Sequence, residues 1–196
     1  FSRFMLSTYH VIEKKEWFRL LTSGFLHSDF FHLFLNMFVL YSFAANIVSS
    51  VGELYAVVVY LLSIVIGSLL SVNINRKNPN YIAVGASGGV SGVLFGSVVM
   101  NPEMSLIVFP LPIPIPGWLF GFMYLGYTIF SIGKKYDNIG HEAHFGGAMC
   151  GMMTTIVLAR EVALNNIITA FLLSLAALGL FILDKKRIFN NLFKNI

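Results

Sequence analysis

Apolar runs about as long as a bilayer is thick alternate with short polar breaks along this chain. The runs fall at 29–49, 53–73, 83–100, 117–133, 142–159 and 164–183, and a helix crossing hydrocarbon needs roughly 20 such residues. They predict an all-α polytopic membrane protein, a helical bundle with about six transmembrane helices. Gly52 and Glu53 part the first two runs into a tight hairpin, and "NINRKNPNY" (73–81) is a polar loop with a proline turn signal. "GKKYDNIG" (133–140) and "REVALNN" (160–166) are further polar breaks. The five prolines of "NPEMSLIVFPLPIPIPGW" (101–118) exclude a continuous helix and favour an extended interfacial loop. The expected division is an interfacial loop segment at 1–28, a transmembrane domain at 29–183 and a basic amphipathic tail at 184–196.

Composition agrees with an apolar solvent. Of 196 residues, 57% are hydrophobic and 11% charged, where a soluble domain carries about 25% charge. The opening "FSRFMLSTYHVIEKKEWFRL" lacks the basic-then-apolar order and small-residue site of a signal peptide. The net charge of +4 suits anionic lipid headgroups. Lysines scattered between spans make no nucleic-acid footprint, and the single cysteine, Cys150, excludes an internal disulfide.

Polar groups inside apolar spans are costly and mark function. Three clusters stand out. His27, His32 and Asn36 lie in "HSDFFHLFLNM", with His32 and Asn36 four apart on one helical face. Ser87 sits among five glycines in "YIAVGASGGVSGVLFG". His141 and His144 open a span in "GHEAHFGGAMCGM", where His141 reads as a loop residue. Gly88, Gly92 and Gly96 recur every four residues, and Gly147 and Gly151 do so on the face of His144. Small residues at that spacing let two membrane helices approach closely. Ser87 and His144 would then share one depth.

That pairing has chemical content. A serine hydroxyl becomes a nucleophile when imidazole takes its proton, and acyl transfer needs donors for the developing oxyanion. A helix beginning at Ser87 leaves backbone N–H groups there unpaired, and His32 and Asn36 offer side-chain donors. Glu142 and Asp137 fall in or near a loop, so a Ser–His dyad is expected rather than a triad. "GASGG" also fits the nucleophile elbow of soluble hydrolases, but apolar spans replace the strand that elbow needs. Three histidines near one depth raise zinc as an alternative, against which Asn36 is a poor ligand. No metal or cofactor is expected.

Taken in order, "WFRLLTSGFLHSDFFHLFLNM", "GASGG" and "AHFGGAMCG" resemble the rhomboid family of intramembrane serine proteases, from about Trp17 to about Leu158. The resemblance implies Ser87 as nucleophile, His144 as general base, and an oxyanion site from His32, Asn36 and the Ser87 N–H. It implies that His27 and Arg19 support the neighbouring loop and helix start. Gly85, Gly88, Gly147 and Gly151 would permit close helix contacts. Transmembrane proteins are the implied substrates, cleaved in or near their spans, and the expected location is a prokaryotic inner membrane. Relatives that have lost the serine or histidine suggest the alternative of an inactive, client-binding protein.

Two departures from the family pattern matter. The family's first helix precedes the Arg-bearing loop, so this chain is expected to hold family helices two to six plus an additional one at 164–183. Members usually place an aromatic residue four positions after the nucleophile, stacked on the catalytic histidine. Here that position is Ser91, one helical turn from Ser87, from which it is expected to hydrogen-bond His144.

Overall fold

The computed structural model describes residues 1–108, 111–134 and 139–166, with positions 168, 172, 173, 175, 176, 179 and 182. The chain opens with a short strand β1 (Leu6–Ser7) and helix α1 (Thr8–Ile12), then α2 (Arg19–Thr22) and a 3-10 turn at Ser23–Phe25. Two long helices follow, α3 (Phe30–Val51) and α4 (Glu53–Ile74), both long and apolar enough to cross a membrane. Next come strand β2 (Ile82–Ala83) and helix α5 (Ser87–Met100). Strands β3 (Ser105–Val108) and β4 (Leu111–Pro116) lead into α6 (Gly117–Ser131), α7 (His141–Leu158) and the short α8 (Arg160–Asn165). Five of the six expected spans therefore coincide with helices. The sixth, 164–183, and the tail 184–196 lie largely outside the described residues.

Local chemistry sets the boundaries. Asp29 caps α3 by accepting from the His32 backbone N–H. Gly52, at φ +95, then turns the chain directly into α4. The third span was expected from residue 83 but becomes helical only at Ser87, because Gly85 stands at φ +131. The residues before it are extended and pair antiparallel with β1, Leu6 opposite Ala83 and Ser7 opposite Ile82. The opening segment is thereby stitched to the approach to Ser87. The proline-rich stretch is extended as expected, and it is also paired, Leu106 opposite Ile115 in a hairpin. Prolines at every second position of β4 put all the missing donors on one edge, away from β3. The polar break expected at 160–166 is a break only at Ala159; α8 follows, and Asn166 Nδ2 donates to the Met100 carbonyl at 2.8 Å.

Every residue of α5 from Gly88 to Met100 is buried, as expected of a helix apolar all round. Its glycine ridge meets that of α7. A Cβ added to Gly147 would collide with the Gly88 carbonyl oxygen, and one on Gly151 with that of Gly92. Helix α4 joins the contact. A Cβ on Gly67 would stand 2.5 Å from the Ala143 carbonyl, and one on Gly146 would stand 3.0 Å from the Gly67 Cα. Below this backbone contact the core fills with Phe95, Val98, Leu125, Ile129, Phe145 and Met152. Helix α6 contributes only Gly117, Gly121, Leu125, Thr128, Ile129 and Ser131 as buried residues, and exposes Phe122, Met123, Tyr127 and Phe130.

Gly147→Ala is expected to destabilise the protein in detergent by about 1–3 kcal/mol, the usual cost of forcing atoms into a closed interior. Gly126, in α6 with nothing within 4 Å of an added Cβ, is the control, and Gly126→Ala should be neutral. Equal melting temperatures for the two variants would refute the backbone contact.

Candidate active site

The site sits where three helices begin. Ser87 is the first residue of α5 and half-buried. Its N–H and those of Gly88 and Gly89 have no acceptor within the helix, as at any helix start. His144 lies in the first turn of α7, also half-buried. A Cβ on Gly88 would lie 3.2 Å from the Ala143 carbonyl oxygen, so the helices touch one residue away from both Ser87 and His144. Ser87 and His144 are not hydrogen-bonded to each other; such bonds are often long without substrate. A Cβ on Gly85 would meet His32 Nε2 at 3.0 Å and Ser87 Oγ at 3.7 Å. Glycine there keeps open the small space that the imidazole of His32 and the Ser87 hydroxyl share.

The first turn of α3 supplies the other side. His32 Nδ1 is 3.1 Å from Ser28 Oγ, which in turn donates to Asp29 Oδ2 at 2.7 Å. A cationic His32 would donate from both nitrogens, Nδ1 to Ser28 and Nε2 towards the Gly85 space. Asn36 is buried and gives one amide hydrogen to the His32 carbonyl at 2.8 Å. The His27 ring packs edge-on to His32 at 5.1 Å between centroids. Burial, followed by the neighbouring His32, pushes His27 below its ordinary pKa. Arg19 is remote from the chemistry and buried. Its Nη1 donates to the carbonyls of Ser2 and Met5, each at 2.9 Å, and its Nε to Glu16 Oε2 at 2.6 Å. That hydrogen bond holds the Glu16 carboxyl below its ordinary value.

Two expectations change. Ser91 reaches His144 only through an intermediary: its Oγ is 2.9 Å from Tyr124 Oη, and Tyr124 Oη is 3.1 Å from His144 Nδ1. Tyr124, from α6, also lays its ring nearly parallel to that of His144, at 20° with centroids 6.3 Å apart. The spacing of sequence motifs could not find Tyr124, although an absent aromatic at position 91 was a signal that one was needed from elsewhere. His141 is the first residue of α7 rather than a loop residue, and it is buried. Its ring is edge-on to Tyr127 at 5.4 Å and to His144 at 6.2 Å. Glu142 is likewise buried in that first turn, and its carboxylate acts on Tyr81. Burial and then Glu142 push the Tyr81 hydroxyl up to about 12. Asp137 lies outside the described residues. Among the described residues no group of three or more His, Cys, Asp or Glu is placed to hold a metal ion.

The Rhomboid domain family model matches residues 14–161, three quarters of the chain and all of the site. The chain belongs to the rhomboid family. It is 29% identical over 135 residues to Rhomboid protein 1, mitochondrial, of Saccharomyces cerevisiae, covering 67% of this chain and 39% of that protein. It is 33% identical over 140 residues to the Presenilin-associated rhomboid-like protein, mitochondrial, of Mus musculus, covering 68% and 36%. Inactive RHOMBOID-like protein 8 of Arabidopsis thaliana is 34% identical over 96 residues, covering 49% and 27%. The chain thus spans about two fifths or less of these rhomboid relatives' lengths. No solved structure gives a significant match. The first two relatives are mitochondrial by name, which lends no support to the expected prokaryotic inner membrane.

The Asp29 carboxyl is held below its ordinary value, first by the backbone N–H of His32 and then by Ser28. A depressed folded-state pKa contributes stability that is present above the unfolded-state value and lost as pH falls through the folded one. Asp29→Asn keeps a capping oxygen but does not titrate. Its melting temperature in detergent should therefore fall less than that of wild type on acidification from about pH 5 to about pH 3. Identical acid slopes would refute this role for Asp29.

Proposed function

We propose that this rhomboid-family chain is an intramembrane serine endopeptidase that cleaves transmembrane proteins in or near their membrane spans. The carrying observation is the backbone contact of α5 with α7, which sets Ser87 and His144 on adjoining first helical turns. In this reading Ser87 Oγ attacks the scissile carbonyl carbon and its proton passes to His144 Nε2. The oxyanion is met by the Ser87 N–H, His32 Nε2–H and Asn36 Nδ2–H. The C–N bond then breaks, the leaving amine takes the proton from His144, and water hydrolyses the acyl-enzyme through the same base. His27 shapes the His32 side of the site. Arg19 holds the opening segment, and through β1 the strand that leads to Gly85. The helices containing 29–49, 53–73, 83–100, 117–133 and 142–159 form the core of the membrane domain. Residues 1–28 lie at the interface.

A second reading is a non-catalytic rhomboid that holds transmembrane clients, favoured by the likeness to a relative whose name calls it inactive. Ser87 and His144 speak against it, because the dyad positions are both filled.

The test is labelling of the purified chain in detergent by a fluorescent fluorophosphonate. Wild type should label, and Ser87→Ala should abolish the signal. His144→Ala should slow it by at least about a hundredfold, the scale of general-base assistance. A wild type that melts cooperatively yet does not label would overturn the protease reading in favour of client binding.

A further inference from the structure

We propose that Tyr124 and Ser91 are a positioning pair that sets which nitrogen of His144 carries the proton. The proposal rests on the assignment of Ser87 and His144 above, and it concerns a residue from a helix that carries neither. The Tyr124 ring is wedged between Phe95, at 5.6 Å between centroids, and Phe120, at 5.8 Å. Its hydroxyl is thereby fixed between Ser91 Oγ and His144 Nδ1, at 2.9 and 3.1 Å. Ser91 is buried. The small side chain at the position where the family pattern has an aromatic leaves room for the tyrosine from α6.

The direction of the hydrogen bonds decides the chemistry. To accept the Ser87 proton, His144 needs a bare Nε2, so the neutral ring must carry its proton on Nδ1, facing Tyr124. Tyr124 Oη then accepts from Nδ1–H and gives its own hydrogen to Ser91 Oγ. In the opposite arrangement Tyr124 donates to Nδ1, the ring proton sits on Nε2, and the base is blocked. A tyrosine alone permits both. A serine hydroxyl can donate or accept at this distance; as the acceptor proposed here, Ser91 draws the phenol hydrogen away from the imidazole.

After Ser87 gives up its proton, the imidazolium still donates from Nδ1 to Tyr124. No proton moves along the chain of hydroxyls; Tyr124 and Ser91 each keep their own. Among the described residues, the titratable groups facing His144 are Tyr124 from α6 and His141 from α7, 6.2 Å away ring to ring.

The decisive experiment is nitrogen NMR of isotope-labelled histidine in the full chain, assigned with His144→Gln, alongside the pH profile of fluorophosphonate labelling. Wild type should show His144 protonated on Nδ1. Ser91→Ala should shift the ring towards the Nε2–H form and slow labelling about tenfold or more, while Ser91→Thr, which keeps the hydroxyl, should hold the wild-type tautomer. Tyr124→Phe keeps the ring but removes the hydroxyl that accepts from Nδ1–H, so the tautomer should lose its Nδ1 preference and labelling should slow. A wild-type ring protonated on Nε2 would overturn the proposal. So would Ser91→Ala and Tyr124→Phe proteins that fold normally with unchanged tautomer and profile. The tautomer is read without any reaction at Ser87, so a wild type that fails to label sinks the protease reading separately.

Discussion

The contact between the backbones of α5 and α7 is the constraint on which the rest of this structure depends. Without side chains at Gly88, Gly92, Gly147 and Gly151, the two helices approach until an added methyl group would strike a carbonyl oxygen. In hydrocarbon little hydrophobic force separates a well-packed helix pair from a loose one, so contact area and close approach must do the work. Helix α4 enters the same contact through Gly67 and Gly146, making a three-helix centre instead of a pair. A centre of bare backbone cannot be loosened at one point without shifting the helix starts above it. Those starts carry Ser87 and His144.

Around that rigid centre, the polar chemistry is arranged at the helix ends. Ser87 begins α5, His144 lies in the first turn of α7, and His32 lies in the first turn of α3, behind its Asp29 cap. Helix starts expose unpaired N–H groups and a favourable dipole for negative charge, which suits the oxyanion of the proposed acyl transfer. Deeper in the bundle, polar side chains serve packing instead. Asn46 Nδ2 donates to the Ser97 carbonyl at 3.2 Å and Ser97 Oγ to the Phe43 carbonyl at 2.7 Å, tying α3 to α5.

The opening segment is held by a different device. A buried guanidinium gathers two backbone carbonyls and a carboxylate, because a planar fork of donors can satisfy several acceptors at once. The short ladder of β1 on β2 then passes that order to the strand before Gly85. A loop region that composition marks only as mixed and aromatic is thus part of the frame around Ser87.

The sequence by itself determined much of this protein. Five helices lie where apolar runs of bilayer length lie, since burial in an apolar medium is written in composition and period. The four-residue glycine spacing, Ser87 at a helix start and the His32–Asn36 face were also legible, because each is local to one helix. Only the tertiary structure decided what depends on segments meeting across space. Ser91 is 33 residues from Tyr124, and Tyr124 is 20 from His144, with no periodicity linking them. Their hydroxyls and ring meet because the packing of α6 against α5 and α7 brings them together. The same reason explains the pairing of β1 with β2, the hairpin formed by the prolines and the burial of His141. A sequence pattern reports which face of an element is apolar; it does not report which distant element will cover that face.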